Sequence, residues 1–201
     1  MTSVDPPLRD EPESWPVRSS VDLHRDDWVV ALRRDEVVDP TGTTMSRLVL
    51  EHPGAVIVLA VDDRERVFCL RQYRHVAGRR FVELPAGLLD GPVGEDPLAA
   101  ARRELREEAQ LEAASWTHLL TTYSSPGISD EKMVFYLARE LSPADRGEFA
   151  LEHEELDMVG GWVPFADLLD AVLDGRVQDG PVVQAVLRYA YTRGSRPDER
   201  R

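Results

Sequence analysis

The sequence predicts an α+β fold, a mixed α/β sandwich rather than a doubly wound parallel sheet. Three observations point there. Strand-length runs of β-branched and apolar residues occur before one central helix pattern, further runs follow it, and two amphipathic helices come last. A doubly wound sheet would alternate strand and helix along the chain instead.

Taken in order, residues 1–17 are rich in Pro, Asp and Glu and read as a disordered or loosely docked tail. "WVVALRRDEVVDPTGTTMSRLVLEH" predicts two strands joined by a Pro-Thr-Gly turn, within an N-terminal β region over 18–50. "AVIVLAVDD" is a nearly continuous β-branched run, as in a buried strand, and "RVFCLRQYR" follows the polar turn "DDRE" as the second arm of a hairpin. "RRFVELPAG" is a short strand entering a Pro/Gly loop. Asp96 then suits a helix N-cap and Pro97 the first helical position. Leu98, Ala101, Leu105 and Ala109 recur at helical spacing and should face the core. "SWTHLLTTYSS", "MVFYLARE" and "MVGGWVPF" read as strands, and "FADLLDAVLDG" and "GPVVQAVLRYAYTR" as amphipathic helices. The main domain is expected over 51–192, with a flexible tail over 193–201.

A chain of 201 residues with 42% hydrophobic content supports one core of ordinary size. The net charge of -13 disfavours binding to nucleic acid or to an anionic membrane, which would repel it. No run approaches the ~18 apolar residues of a membrane span, and the N-terminus has no apolar signal core. The single cysteine, Cys69, allows no internal disulfide, so a cytoplasmic location is expected; Cys69 itself reads as a small buried hydrophobe.

The stretch "RRELREEAQL" places Glu104, Glu107 and Glu108 in one arc beside the apolar stripe of the central helix. Clustered carboxylates repel. Either they form a solvated face, with Arg103 pairing Glu107 one turn on, or they gather a divalent cation, since hard oxygen ligands suit Mg²⁺ or Mn²⁺. The spacing alone does not choose.

The surroundings resemble the Nudix hydrolase signature, G-x5-E-x7-R-E-U-x-E-E-x-G-U, with U apolar. Glu95 is followed by seven residues and then by Arg103-Glu104-Leu105-Arg106-Glu107-Glu108-Ala109-Gln110-Leu111. Two departures stand out. Gly87, taken as the opening glycine, lies two residues further from Glu95 than in the pattern, which a surface turn tolerates. Gln110 replaces the glycine that normally ends the helix in a left-handed conformation, at a cost of roughly 1 kcal/mol.

The resemblance implies a Nudix-type α/β/α sandwich and gives roles to matching positions. Glu104 and Glu108 would be metal ligands, Glu107 a third ligand or the holder of a metal-bound water, and the Ala86 carbonyl another oxygen. Glu95 and Arg103 would be a structural pair pinning loop to helix. "SSPGISDE", with Pro126 sixteen residues after Gln110, and "RQYRH" before "ELPAG" resemble the ADP-ribose pyrophosphatase branch. That likeness nominates Arg74 for a phosphate contact ahead of Arg71, a second substrate-binding candidate that shares a strand face with Tyr73 while Arg74 lies on the other face or in the following loop, and it places Arg47 near the adenine. Trp28 would either stack on the base or serve a core or interface. Glu131 would either hold the terminal ribose or be a surface acid. The acidic stretch "LEHEELDM" would supply the base, Glu154 first and Glu155 next. Relatives form homodimers by exchanging N-terminal strands, so a homodimer through residues 20–50 is expected. The implied reaction is metal-dependent hydrolysis of ADP-ribose to AMP and ribose 5-phosphate. The alternatives are another nucleoside diphosphate derivative (a nucleotide sugar, NADH, an oxidised nucleotide) and a non-catalytic ADP-ribose-binding regulator.

Overall fold

A computed structural model describes residues 8–91, 95–147 and 157–194. At its centre β4 (Ala55–Ala60) runs parallel to β9 (Lys132–Pro143), in a sheet of order β7-β4-β9-β8. β7 is Ala86–Leu88 and β8 is Leu111–Tyr123. Both faces of β4 are covered, which explains its unbroken apolar run. Val56, Val58 and Ala60 pack under α1 (Pro97–Ala109), against Ala101, Leu105 and Ala109. The alternate residues Ile57, Leu59 and Val61 face a second cluster that includes Phe165, Leu168, Val182 and Val186. These last four come from α2 (Phe165–Leu173) and α3 (Gly180–Gly194). The result is helix, sheet, helix. Among the described residues no helix is long and apolar enough to cross a membrane.

A second sheet has the order β10-β5-β6, from β5 (Arg66–Arg74), β6 (Arg79–Glu83) and β10 (Val159–Pro164). This corrects the expected β4–β5 hairpin. Both edges of β4 are taken by β7 and β9, so the chain leaves the sheet at the "DDRE" turn. Among the described residues the two arms share one isolated bridge, Val61 to Val67, beside the bond from Asp62 N–H to the Arg66 carbonyl (3.0 Å). Asp62 braces the corner by accepting from the backbone N–H of Arg64 and Arg66. Cys69 lies inside, and burial pushes its thiol up to about 12.

The N-terminal residues form a third sheet, β1 (Val17–His24), β2 (Ala31–Val38) and β3 (Thr44–Glu51), antiparallel throughout. β2 and β3 flank the expected Pro-Thr-Gly turn. β1 falls within the β region expected over 18–50, but no separate strand was marked out there: every one of its residues is exposed, so it carries no burial pattern. The end of β3 is tied to the 125–131 loop, where Leu50 N–H donates to Ile128 (2.8 Å) and His52 N–H to the Asp130 carboxylate (2.8 Å). At the other end, α3 continues to Gly194, past the expected boundary at 192.

Candidate active site

α1 starts where the sequence places it. Asp96 accepts from Leu98 N–H at 3.0 Å, and Pro97 opens the helix. Because its apolar stripe lies on β4, the neighbouring carboxylates are turned against β7. Glu104 is buried there, only 7% exposed. It fits because Gly87 has no side chain: a methyl group at residue 87 would overlap the Glu104 carboxylate. Glu108 Oε2 accepts from Ala86 N–H at 2.9 Å. Arg103 bridges the remaining pair, with Nη1 2.6 Å from Glu104 and 3.2 Å from Glu107. Burial opposes the Arg103 charge, but Glu104 and Glu107 more than offset it and hold its pKa above the ordinary guanidinium value.

These groups form one wall of a cleft of about 880 Å³. That lies within the ~300–1,000 Å³ typical of small-molecule sites. Ile57, Leu84 and Met133 give it an apolar floor, and Arg74, Glu83, Glu131 and Trp28 also line it. Arg74 ends β5 and forks onto Glu83, at 2.9 and 2.7 Å. Trp28 stands on the rim, 69% exposed. Glu131 lies 3.8 Å from His52.

Three of the expected placements differ. Arg71 does not reach the cleft; alternation along β5 sends it to the other face, where it lines a separate depression. Arg47 sits on β3 opposite Asp35, outside the cleft lining, and donates to the Ser46 carbonyl. The expected Glu95–Arg103 pin is absent as a direct bond. Arg103 turns to Glu104 and Glu107, and Glu95 acts on it only as a nearby charge. Glu95 Oε2 is instead buried without a hydrogen-bond partner among the described residues, beneath Gly91, whose missing side chain makes the room. Glu154 and Glu155 lie outside the described residues.

The fold and this acidic wall can be set beside known proteins. Residues 51–186 match the family model described as the NUDIX domain. The chain belongs to the Nudix family. It is 45% identical over 167 residues to the ADP-ribose pyrophosphatase of Mycobacterium tuberculosis, covering 83% of this chain and 79% of that protein. It is 35% identical over 158 residues to the ADP-ribose pyrophosphatase of Bacillus subtilis, covering 79% and 83%. Its fold matches the crystal structure of an ADP compounds hydrolase with a TM-score of 0.73, at 20% identity, over 92% of this chain and 96% of that one.

Nudix hydrolases generally need divalent metals. The acidic wall has the chemistry to take one. A buried carboxylate requires a cation, and Glu104 is buried in a cradle that any side chain at residue 87 would fill. As they stand, no three His, Cys, Asp or Glu side chains among the described residues are grouped closely enough to hold an ion. Arg103 occupies two of these carboxylates, Glu104 and Glu107.

Two residues of this Nudix site escaped sequence reasoning. Glu83 is buried at the end of β6 and holds Arg74. The one signal for it is a lone acid closing an apolar strand before Pro85. Asp179 lines the cleft from the start of α3 and accepts from Val182 N–H at 2.9 Å. Burial pushes its carboxyl up to about 6; the Val182 bond pulls it back, Glu83 raises it and Arg74 lowers it. Asp179 meets Glu83 and Arg74 only through tertiary structure, about a hundred residues along the chain, so no local pattern marks it.

Proposed function

We propose that this chain hydrolyses the pyrophosphate bond of ADP-ribose to AMP and ribose 5-phosphate, with Mg²⁺, or Mn²⁺ in its place, as the metal. The observation that carries this reading is the cleft of about 880 Å³ in which the three glutamates of α1 meet the Arg74–Glu83 pair. The names of the Mycobacterium tuberculosis and Bacillus subtilis relatives support the choice of substrate.

Glu104, Glu107 and Glu108 would hold the metal, with the Ala86 carbonyl. When bound, the ion neutralises the diphosphate and polarises its phosphoryl oxygens. The remaining work falls to the protein. Arg74, steadied by Glu83, offers its fork to phosphate oxygens. Trp28 presents a flat apolar face to the base, a contact worth ~1–3 kcal/mol. Glu131 takes a ribose hydroxyl. Glu154, or failing it Glu155, accepts the proton of the attacking water as the oxygen–phosphorus bond forms and the bridging bond breaks.

The chain would act as a homodimer through residues 20–50. This rests on β1, where Val17, Val21 and Leu23 are 53%, 58% and 42% exposed. An isolated sheet gains little from such exposed apolar side chains, whereas a second copy would bury them.

The test is product analysis with Mg²⁺ over a panel of ADP-ribose, nucleotide sugars, NADH and oxidised nucleotides. ADP-ribose should lead, releasing AMP. Glu104→Gln should abolish turnover with the fold retained, and Glu154→Gln should lower it roughly 10²–10⁴-fold. Another preferred substrate would move the assignment within the family. Saturable ADP-ribose binding without AMP would make the chain a regulator and sink the catalytic reading.

A further inference from the structure

β6 is an edge strand, last in the order β10-β5-β6. Beside it lies the loop joining α2 to α3, and the two are tied where Arg79 Nη1 donates to Gln178 at 3.2 Å. Between them is a depression of about 180 Å³, lined by Arg71, Arg79, Arg80 and Arg176 with Val82 and Gln178. Four arginines around one hollow run against the rest of a chain whose net charge is -13. Phe81 alone lines both this hollow and the catalytic cleft, so the two are separate.

The charges here are not cancelled. Arg80 pairs with Asp157 and Arg176 with Asp174, and those carboxylates are 75% and 57% exposed. Surface pairs of this kind are worth ~0–1 kcal/mol and exchange readily. Arg79 meets a neutral amide. Arg71 makes no side-chain hydrogen bond or ion pair among the described residues. Among the described residues, four guanidiniums against two carboxylates leave two positive charges in surplus.

Guanidinium forks match the oxygens of a phosphoryl group in geometry as well as charge. The hollow is smaller than the ~300 Å³ at which pockets for whole small molecules begin, which suits one tetrahedral anion. We propose that this hollow is a second anion site, which takes a dianionic phosphoryl group, free or at the end of a phosphomonoester, outside the catalytic cleft. It does not depend on the substrate proposed above.

The test is a nuclear magnetic resonance titration of the full chain, free of divalent metal, with inorganic phosphate replacing chloride at constant ionic strength. Backbone amides of residues 79–82 and 176–178 should shift saturably. The double variant Arg79→Ala/Arg176→Ala should bind at these amides at least about tenfold more weakly, the loss expected for charge-assisted bonds. Arg176 is 64% exposed and Arg79 is exposed, so the variant should fold; its hydrolysis rate should stay within about twofold of the parent. A parallel titration with ribose 5-phosphate separates the sources. Equal shifts mean that the site takes an ester end, and shifts with phosphate alone mean that it takes the free ion. Shifts confined to amides of the cleft, equal shifts with chloride, or an unchanged titration in the double variant would each overturn the proposal.

Discussion

In β4 five of six residues are buried, whereas in β1 all eight are exposed. The central sheet is closed on both faces, and its apolar area stabilises it at ~25 cal/mol per Å² removed from water. The N-terminal sheet relies on backbone ladders and charges. Asp35 takes the Ser20 hydroxyl at 2.6 Å and the Arg33 guanidinium at 3.0 Å, while Arg25 and Arg33 both meet Glu51. The more exposed of these, such as Arg25–Glu51, add little each. The difference teaches where the fold is self-sufficient and where it asks for a neighbour.

The largest expected effect separates the two regions directly. Leu105→Ala removes a fully buried side chain under β4 and should cost about 3 kcal/mol in urea unfolding. Val21→Ala, on exposed β1, should change the stability of a single chain by less than about 0.5 kcal/mol. The same Val21 change should weaken self-association measured by sedimentation. If Val21→Ala left association untouched, the proposed dimer surface would be wrong and the comparison would lose its second half.

The sequence foretold the buried region better than the exposed one, and the reason is physical. Asp96, Pro97 and the Leu98–Ala101–Leu105–Ala109 stripe respond to local helix geometry, so α1 was legible in full. β4 announced its burial through composition alone. Neither said which strands would pair, because pairing is decided by which edges are already taken. Alternation put Arg71 and Arg74 on opposite faces of β5, but only the packed structure shows that Arg74 finds Glu83 and Arg71 a hollow lined by arginines. β1 has no buried face, so no period marked it.

The two regions also titrate in opposite senses, which offers a middle-sized test. The Ser20 hydroxyl and Arg33 hold the Asp35 pKa down, as Arg25 and Arg33 do for Glu51. Stabilisation from depressed carboxylates is present above their unfolded value of ~4 and lost as pH falls through the folded values. Asp179 behaves in reverse. Its carboxyl is raised to about 6, so its unfolded form ionises first. Stability is full below ~4 and is lost as pH rises toward 6. Asp179→Asn keeps an acceptor for Val182 N–H and removes the ionisation. It should unfold at higher urea than the parent at pH 8, by on the order of 2 kcal/mol, and at the same urea at pH 4. An equal difference at both pH values would mean that the cap, not the charge, is what changed.

The smallest effect concerns the end of α1, where the Nudix pattern has glycine. Gln110 adopts φ 54° and ψ 42°, and its N–H bonds the Arg106 and Leu105 carbonyls. The left-handed turn is therefore made without glycine, against the Cβ penalty of roughly 1 kcal/mol that this region carries. Gln110→Gly relieves that strain but gives the unfolded chain more freedom to lose, and the two oppose each other. Where φ is already positive the strain should win, so the variant should gain about 0.5 kcal/mol and melt slightly higher. Its hydrolysis should be unchanged, because the hydrogen bonds at this helix end, two residues past Glu108, are backbone ones that glycine can make equally. A variant that melted lower would show that the Gln110 side chain contributes more than its backbone costs.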